Sequence, residues 1–485
     1  MSNASSHARG SMDSLLSLWR CPQCGRDTPS REDRDPQCRR CGLRWPTFGT
    51  LRCALPDPRR DLPDWRARAH HSLQALRERA RRATHAQTTL QQPSAAARGR
   101  VLDTRNPAAP SASTPAATAT RLERLAAGLH AQLDCQAKVL APLLGDTPSS
   151  DLATYRGLGA AQLEADGQLY DYAANLFRDW AWGELENRVS LTQVAAALPV
   201  RVERCIMLGA GAGRLAYDLA VARPDTTFIA LEWNPLAALV GARLSAGDAL
   251  TLWETPLAPR SVDDVIIEQQ LRAPAGAADN LSWLWGDARQ VPLIDGCADL
   301  VITPWLTDVI AGGPIPLIRE VNRLLCRDGH WLNFGSLCFA DAHAGDPGLA
   351  LLLPELIELA AGLGFDAQSP RVSEFEAPYL DSPHSRFARR ELLHVLRMTK
   401  RSAAVSGSAA GQGRVKRRPA ERKPVALTPT IEGHALSSQV QAYVLSLIDG
   451  RRSIIDIAAE LEARRLLSRE EAIPLISSFL EKLSN

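Results

Sequence analysis

The chain has 485 residues, of which 45% are hydrophobic, enough for two or three domains and a sizeable core. Its formal net charge of +2 gives no general pull towards nucleic acid or a membrane surface, and no apolar stretch approaches the length of a membrane span. The first twenty residues lack an apolar signal core, and ten cysteines are too sparse for a disulfide framework in a chain this long, so a cytoplasmic, reducing setting is expected.

The first element is Cys21-Pro-Gln-Cys24, followed thirteen residues later by Cys38-Arg-Arg-Cys41. Two C-x-x-C knuckles at this separation place four thiolates around one zinc ion, and Gly25 and Gly42 supply the turn after each pair. Four sulfur ligands leave no open position, so the zinc of this ribbon, residues 1–60, is expected to be structural rather than catalytic. Cys53 reads as a small buried hydrophobe. A basic helical stretch spans 62–83, and the Ala/Pro/Thr/Ser/Gln-rich residues 84–119 read as a linker, together residues 61–119. Leu122, Leu125, Leu129, Leu133 and Leu140 recur at helical steps, and 151–200 is also helical, with Leu169, Tyr172, Leu176 and Trp180 on one face. These make a helical lid over 120–200, ahead of an α/β domain over 201–400.

That domain opens with the apolar strand Cys205–Leu208, a cluster Gly209-Ala-Gly211-Ala-Gly213, an amphipathic helix and a second strand, Thr227–Leu231, ending in Glu232. Glycines allow a tight turn and close approach to a ligand, the helix N-terminus offers free N–H groups, and the carboxylate sits where it can bond a ribose diol. The spacing is G-x-G-x-G followed by Arg214, not the G-x-G-x-x-G of a dinucleotide fold, which favours an amino-acid carboxylate over a pyrophosphate and hence S-adenosylmethionine. Gly286-Asp287-Ala288 follows an apolar segment, as expected of an acid reading an adenine amino group. A strand over 298–303 comes next, then a helix ending in a turn at Asp328-Gly329 before the strand His330–Phe334. The whole is a Rossmann-like class I methyltransferase pattern.

Residues 401–429 read as a second linker, whose basic run from Arg414 to Lys423 is a solvated tether rather than a nucleic-acid contact. The last segment, 430–485, is a small helical unit: Val440, Val444, Leu447 and Ile448 mark one helix, and Ser453-x-x-Asp456 and Ser468-x-x-Glu471 open two more with capping-box patterns. Through Leu-Ile-Asp-Gly-Arg-Arg-Ser-Ile-Ile-Asp-Ile-Ala it resembles the PqqD-like modules that hold substrate peptides; a helical oligomerisation module is the other reading.

Three segments within about 165–400 resemble the carnosine N-methyltransferases. Arg178-Asp179-Trp180-Ala-Trp-Gly183-Glu-Leu-Glu186-Asn-Arg188 is similar to that family's RDWS-x-x-G-x-x-ER signature. Gly209-Ala-Gly211-Ala-Gly213-Arg-Leu-Ala is similar to its GAGLGRLA loop, and Asp328-Gly-His-Trp-Leu-Asn333-Phe-Gly335 to its GGxWINLG strand. The resemblance implies methyl transfer from S-adenosylmethionine to an imidazole nitrogen of a histidine-containing small molecule or peptide. By motif position, Arg178 would grip the methionine carboxylate with help from Asn175, Glu232 the ribose, and Asp287 with Ala288 the adenine edge. In Pro304-Trp305-Leu306-Thr307-Asp308, Asp308 matches the acid that bonds the imidazole N–H, and Trp305 would wall the ring. The family's tyrosines before the last strand are missing, since the chain has Phe387-Ala-Arg389 there; Tyr379 or His384 could substitute. The alternatives are an RNA methyltransferase contacting RNA through the ribbon and basic linker, and a non-catalytic binding protein on the same scaffold.

Overall fold

The computed structural model describes residues 15–25, 35–91, 116–145, 173–339, 350–402, 447, 452–463, 469, 473 and 476. The chain divides into two compact units, Met1–Ser406 and Gly407–Asn485. In the first, elements follow as β1 (Thr47–Phe48), β2 (Leu51–Cys53), α1 (Pro58–Gln91), α2 (Ala116–Leu144), α3 (Ala173–Phe177) running into a π-helical turn (Arg178–Trp182), and α4 (Glu184–Ala197). The α/β part continues with β3 (Arg204–Leu208), α5 (Arg214–Ala222), β4 (Thr227–Glu232), α6 (Pro235–Ser245), β5 (Ala249–Glu254), β6 (Ile267–Arg272), β7 (Leu281–Trp285) and β8 (Ala298–Pro304). It closes with α7 (Pro314–Leu324), β9 (Leu325–Gly335), α8 (Leu353–Gly362), β10 (Arg371–Pro378) and β11 (Arg390–Thr399).

Nine strands form one mixed, mostly parallel sheet in the order β1-β2-β7-β4-β3-β8-β9-β11-β10, while β5 and β6 make a separate antiparallel hairpin. The run β2-β7-β4-β3-β8-β9 is parallel, and β11 enters antiparallel to β9 and β10. Cys205, Ile206, Met207 and Leu208 of β3 are all buried, as are Leu300, Val301 and Ile302 of β8. Both faces of these central strands are covered, which explains their continuous apolar runs. The strand order reverses between β3 and β8, so a crevice opens at their C-terminal ends, the position where α/β sheets of this kind bind ligands.

Three local readings of the sequence differ from the structure. Helix α1 runs on to Gln91, past the point where the apolar period fades, because α2 lies antiparallel beside it. Arg66 Nε donates to Leu143 O at 2.9 Å, Thr84 Oγ1 meets His130 Nε2 at 3.4 Å, and Ala80, Ala83 and Leu129 share one apolar cluster. The second difference is at Asp328-Gly329, which is no turn between elements: α7 stops at Leu324 and β9 starts at Leu325, with Asp328 at φ 60° where the register against β8 shifts. The third is the cysteine-bearing segment, which does not stand apart. Its hairpin β1-β2 extends the main sheet, with Leu51, Arg52 and Cys53 paired to Trp283, Leu284 and Trp285.

In the second unit α9 (Ile454–Ala463) carries the expected capping box: Ser453 N–H donates to Asp456 Oδ2 at 2.9 Å, and Asp456 N–H to Ser453 Oγ at 3.3 Å. Leu447 is buried. Leu169, Tyr172, Val440, Val444, Ile448, Ser468 and Glu471 lie outside the described residues. No helix among the described residues is long and apolar enough to cross a membrane.

Candidate functional site

Strand β3 delivers the chain into the glycine loop, where Gly209, Gly211 and Gly213 have φ of 73°, 60° and 89°, the left-handed region closed to most side chains. The N–H groups of Gly209 and Ala210 both donate to Leu231 O, at 2.9 and 3.0 Å, clipping the loop to the end of β4. The three glycines serve different needs. A Cβ at Gly213 would lie 2.3 Å from the Trp283 ring and one at Gly209 3.0 Å from Leu306, whereas one at Gly211 meets nothing within 4 Å. Gly211 therefore borders open space at the switch point of the sheet. Beside it, Glu232 Oε2 accepts the Gly211 N–H at 2.7 Å and Oε1 the Asn234 N–H at 2.8 Å. Burial pushes the Glu232 carboxyl up to about 6, against the N–H bonds from Asn234, Gly211 and Trp233.

Arg178 reaches the same region from the π-helical turn. Gly183 N–H donates to Arg178 O at 2.9 Å, closing the wide turn, and a Cβ at Gly183 would sit 2.3 Å from that oxygen. Asn187 Nδ2 also donates to the carbonyls of Arg178 and Asp179, at 3.2 and 3.1 Å. A single π turn of this kind often marks a functional site, because it swings one side chain off the helix line. The turn is tied to the glycine loop by Trp180 Nε1 donating to Ala212 O at 2.8 Å and Arg214 Nη1 to Asp179 O at 3.0 Å. Arg214 itself is consumed by Asp218, Glu184 and that carbonyl, so it is a structural clamp. Arg178 gives Nε and Nη2 to Asp179 Oδ1 at 2.9 and 2.7 Å, and its guanidinium lies 5.4 Å from the centre of the Trp305 ring. Asn175 sits half-buried one turn earlier on α3.

Trp305 has φ 42°, its N–H bonds Phe334 O at 2.7 Å, and its ring meets Phe334 edge-on at 4.4 Å between centroids. Tyr379 stands 6.1 Å from Trp305 and 5.9 Å from the Arg178 guanidinium, so the structure brings this tyrosine to Arg178 and Trp305. His384 is drawn elsewhere, with Nδ1 at 2.9 Å from Asp264 Oδ1. Glu186, the acid of the arginine-tryptophan segment, fixes the Tyr379 loop by accepting the N–H groups of Leu380 and Asp381 at 3.1 and 2.9 Å. Burial pushes the Tyr379 phenol up, opposed by the Arg178 charge and reinforced by Glu391 and Asp308. Asp308, one turn past β8, is an acidic side chain buried at 4% exposure. Its neighbour Thr307 donates to Asn333 Oδ1 at 2.6 Å, as does Thr303 at 2.8 Å, while Asn333 Nδ2 meets His394 Nε2 at 2.8 Å. The asparagine in the Asn-Phe-Gly strand thus anchors the Trp305–Asp308 loop from below.

At the far end of the crevice the expected acid has a partner that sequence reasoning missed. Arg289 grips Asp287 with Nε at 2.9 Å from Oδ1 and Nη2 at 2.7 Å from Oδ2, and its own N–H adds a third bond at 2.8 Å. The signal was available as an Asp-x-Arg spacing, but reading it needed the loop conformation. Ala288 is buried, and Gly286 has no room for a side chain because Ala54 O would lie 2.7 Å from a Cβ there. Trp233, Trp65 and Trp285 form an edge-to-face cluster at the end of β4 and β7, with Trp65 at 5.1 and 5.9 Å from the other two.

The sulfur atoms of Cys21, Cys24, Cys38 and Cys41 lie within 4.8 Å of one another, with Cys21–Cys41 at 3.6 Å and Cys24–Cys38 at 3.5 Å. A tetrahedral zinc with Zn–S bonds of about 2.3 Å needs sulfur separations of about 3.8 Å, so the donor set fits the ion. Gly25 and Gly42 have φ of 66° and 71° and return their N–H groups to Cys21 O and Cys38 O at 2.8 and 2.9 Å, forming the turn expected of each knuckle. Cys53 is fully buried in the core.

An open glycine loop, a half-buried carboxylate at the end of the neighbouring strand and a mostly parallel sheet define an α/β protein with a crevice at the switch point of its sheet. No family model matches the chain, and no curated protein matches it. Among solved structures, it is similar to a SAM-dependent methyltransferase of Thermotoga maritima, 16% identical over 47% of this chain and 99% of that one, with a TM-score of 0.28. It is also similar to a TehB-like SAM-dependent methyltransferase of Corynebacterium glutamicum, at 14% identity, 44% and 87% coverage and a TM-score of 0.27. Phosphoethanolamine N-methyltransferase 2 of Haemonchus contortus, in complex with S-adenosyl-L-methionine, is matched at 11% identity, 44% and 53% coverage and a TM-score of 0.29. The similarity to these enzymes is distant and is one of fold alone.

Proposed function

We propose that the chain is an S-adenosylmethionine-dependent N-methyltransferase whose acceptor is the imidazole of a histidine-containing small molecule or peptide. The observation that carries the cofactor half is the pairing of Gly211, open on its Cβ side, with Glu232 through a 2.7 Å bond. Glu232 would take the ribose hydroxyls. Arg178 would take the methionine carboxylate through Nη1, which has no partner among the described residues, with Asn175 beside it. With the Asp287 carboxylate saturated by Arg289, the Ala288 backbone is left to read the adenine edge. Bound there, S-adenosylmethionine supplies an electrophilic sulfonium methyl. The acceptor half rests on the convergence of Trp305, Tyr379 and Arg178, on the burial of Asp308 close by, and on the resemblance noted from the sequence. Asp308 would accept one ring N–H, fix the tautomer so that the other nitrogen's lone pair is free, and offset the charge that builds on the ring. The cysteine cluster would hold structural zinc, and the C-terminal unit a peptide partner.

Incubation with labelled S-adenosylmethionine and a set of histidine-bearing acceptors, followed by mass spectrometry, is expected to give a ring-methylated imidazole. Asp308→Asn should keep cofactor affinity and lose turnover by about 10²–10⁴-fold, since an amide still bonds but carries no charge. Full activity in that variant would remove Asp308 from the mechanism, and methylated RNA with no imidazole product would overturn the acceptor class.

A second expectation concerns pH. With a carboxyl near 6, Glu232 is ionised at pH 8 and protonated at pH 5, so cofactor affinity should fall as the pH drops through 6. Glu232→Ala should weaken binding by about 1–3 kcal/mol at pH 8 and flatten this dependence. Arg178→Lys should weaken binding at every pH, because a single ammonium cannot hold Asp179 as Nε and Nη2 do and still present a further N–H to the ligand. Calorimetric titration at several pH values checks all three; unchanged affinity in both variants would mean the cofactor lies elsewhere.

A further inference from the structure

A directed chain of hydrogen bonds runs beneath the loop that carries Trp305 and Asp308. Trp331 Nε1 donates to Thr303 Oγ1 at 2.9 Å. An indole nitrogen can only donate, so this hydroxyl accepts the indole and sends its own hydrogen to Asn333 Oδ1, at 2.8 Å. Thr307 donates to the same oxygen at 2.6 Å. The Asn333 amide therefore turns Nδ2 to His394 Nε2, at 2.8 Å, and that ring nitrogen must offer a lone pair. His394, on β11, stands in register with Gly335 on β9. Burial pushes its imidazole down to about 4, against a bond to the Gly335 backbone. A bond that favours the protonated ring is one the ring donates, so Nδ1 carries the proton and the ring is neutral. These five side chains are at most 4% exposed, which leaves the bonds without competing solvent.

The loop depends on the direction of this chain. Strand β9 holds Trp305 through its backbone: the Trp305 N–H bonds Phe334 O at 2.7 Å, and a Cβ at Gly335 would lie 3.3 Å from Trp305 Cα. It holds the other end through Thr307, the residue before Asp308, by way of Asn333. Had the ring its proton on Nε2, Asn333 would have to turn its oxygen towards His394. The hydroxyl hydrogens of Thr303 and Thr307 would then lose their acceptor in a buried site, which is costly. A neutral ring with Nε2 free thus selects one amide orientation out of two, and that orientation tethers Thr307.

We propose that His394 is a positioning residue for the methyl transfer, holding the Asp308 carboxylate in the orientation the acceptor ring requires by way of Asn333 and Thr307. The inference deepens the acceptor reading above and rests on it. The role asks for no contact between His394 and cofactor or acceptor, and no proton passes through the ring. What the position requires is an acceptor facing Asn333 and a donor facing Gly335. A glutamine amide offers both, and leucine offers neither.

The test compares His394→Gln, His394→Leu and Thr307→Val in the full chain, with L-histidine, β-alanyl-L-histidine and N-acetyl-L-histidine N-methylamide as acceptors. Turnover is counted per S-adenosylmethionine site by calorimetric titration, so a loss of folded protein alone leaves it unchanged. His394→Leu and Thr307→Val should each lower kcat about tenfold or more at near-native cofactor affinity, since a misplaced catalytic group costs on that scale. His394→Gln should stay within about threefold of the native protein, because it keeps both bonds. As the two losses pass through one path, the double variant should be no slower than the worse single one. In histidine nitrogen NMR spectra of the native chain at pH 7, the signal lost in His394→Gln should be that of an Nδ1–H tautomer. An Nε2–H tautomer, multiplied losses in the double variant, or native kcat in folded His394→Leu or Thr307→Val overturns the inference and leaves the acceptor reading standing. No product from the native protein with any of the three acceptors overturns both.

Discussion

Removal of the metal from Cys21, Cys24, Cys38 and Cys41 is expected to abolish S-adenosylmethionine binding, not only to loosen the N-terminal segment. The knuckles lie against the loop that carries Asp287. Ala54 N–H bonds Trp285 O at 2.7 Å, Arg20 N–H bonds Pro292 O at 2.9 Å, Ile294 N–H bonds Leu18 O at 2.8 Å, and Trp19 bridges Leu293. Trp19 and Trp45, both buried, stack edge-on at 5.4 Å between the cysteine pairs and the sheet. A structural zinc contributes about 10–16 kcal/mol to the fold of a small site, more than a short segment of this kind retains without it. Its loss should release β1 and β2, expose the β7 edge and Trp285, and leave residues 286–295 without their backing. Elemental analysis should find one zinc per chain. Chelator treatment or Cys38→Ser should then weaken cofactor binding at least tenfold and shift tryptophan emission to the red. A metal-free protein with unaltered affinity and emission would show the ribbon to be an independent attachment. For the same reason, deleting residues 1–60 should give an aggregating protein rather than a working core.

Alanine at the glycine loop should separate the ligand from the fold. Gly211→Ala places a methyl in open space and costs only the left-handed conformation, about 1–2 kcal/mol, yet the methyl enters the space assigned to the cofactor. The variant should fold with a small drop in Tm and bind S-adenosylmethionine at least a hundredfold more weakly. Gly213→Ala instead drives a Cβ to 2.3 Å from Trp283 at the same unfavourable φ, so strain and overpacking add to about 3 kcal/mol or more. It should lose stability first and cofactor binding as a consequence. Thermal unfolding measured beside calorimetric titration distinguishes the two. Normal cofactor affinity in a folded Gly211→Ala protein would place the ligand away from the loop.

Much of the α/β core was legible because its signals are local. The apolar runs of β3, β4 and β8 are continuous since both sheet faces are covered, the glycine cluster announces backbone that only glycine adopts readily, and each C-x-x-C-Gly knuckle is a self-contained turn. Ser453 and Asp456 signalled their helix start for the same reason, since the capping bonds close within four residues. Boundaries were less secure. The extra turns of α1 are held by α2, whose own sequence says nothing about where its partner stops.

The sequence by itself determined the element types around the crevice, the four-cysteine cluster and the chemical character of Arg178, Glu232 and Asp308. Only the tertiary structure decided what those residues touch. It gave Asp287 to Arg289, put Tyr379 rather than His384 beside Trp305, made Arg214 a clamp between the glycine loop and the π-helical turn, and joined the cysteine segment to the sheet through β2 and β7. The reason is physical. A capping residue or a left-handed glycine is fixed by atoms a few residues away, whereas an ion pair or a strand edge is settled by whichever group the fold brings within about 3 Å, and the closest competitor wins because unpaired buried polar groups are costly. Such partners stand far apart in the chain, Cys53 with Trp285 and Glu186 with Asp381, and no periodicity links them.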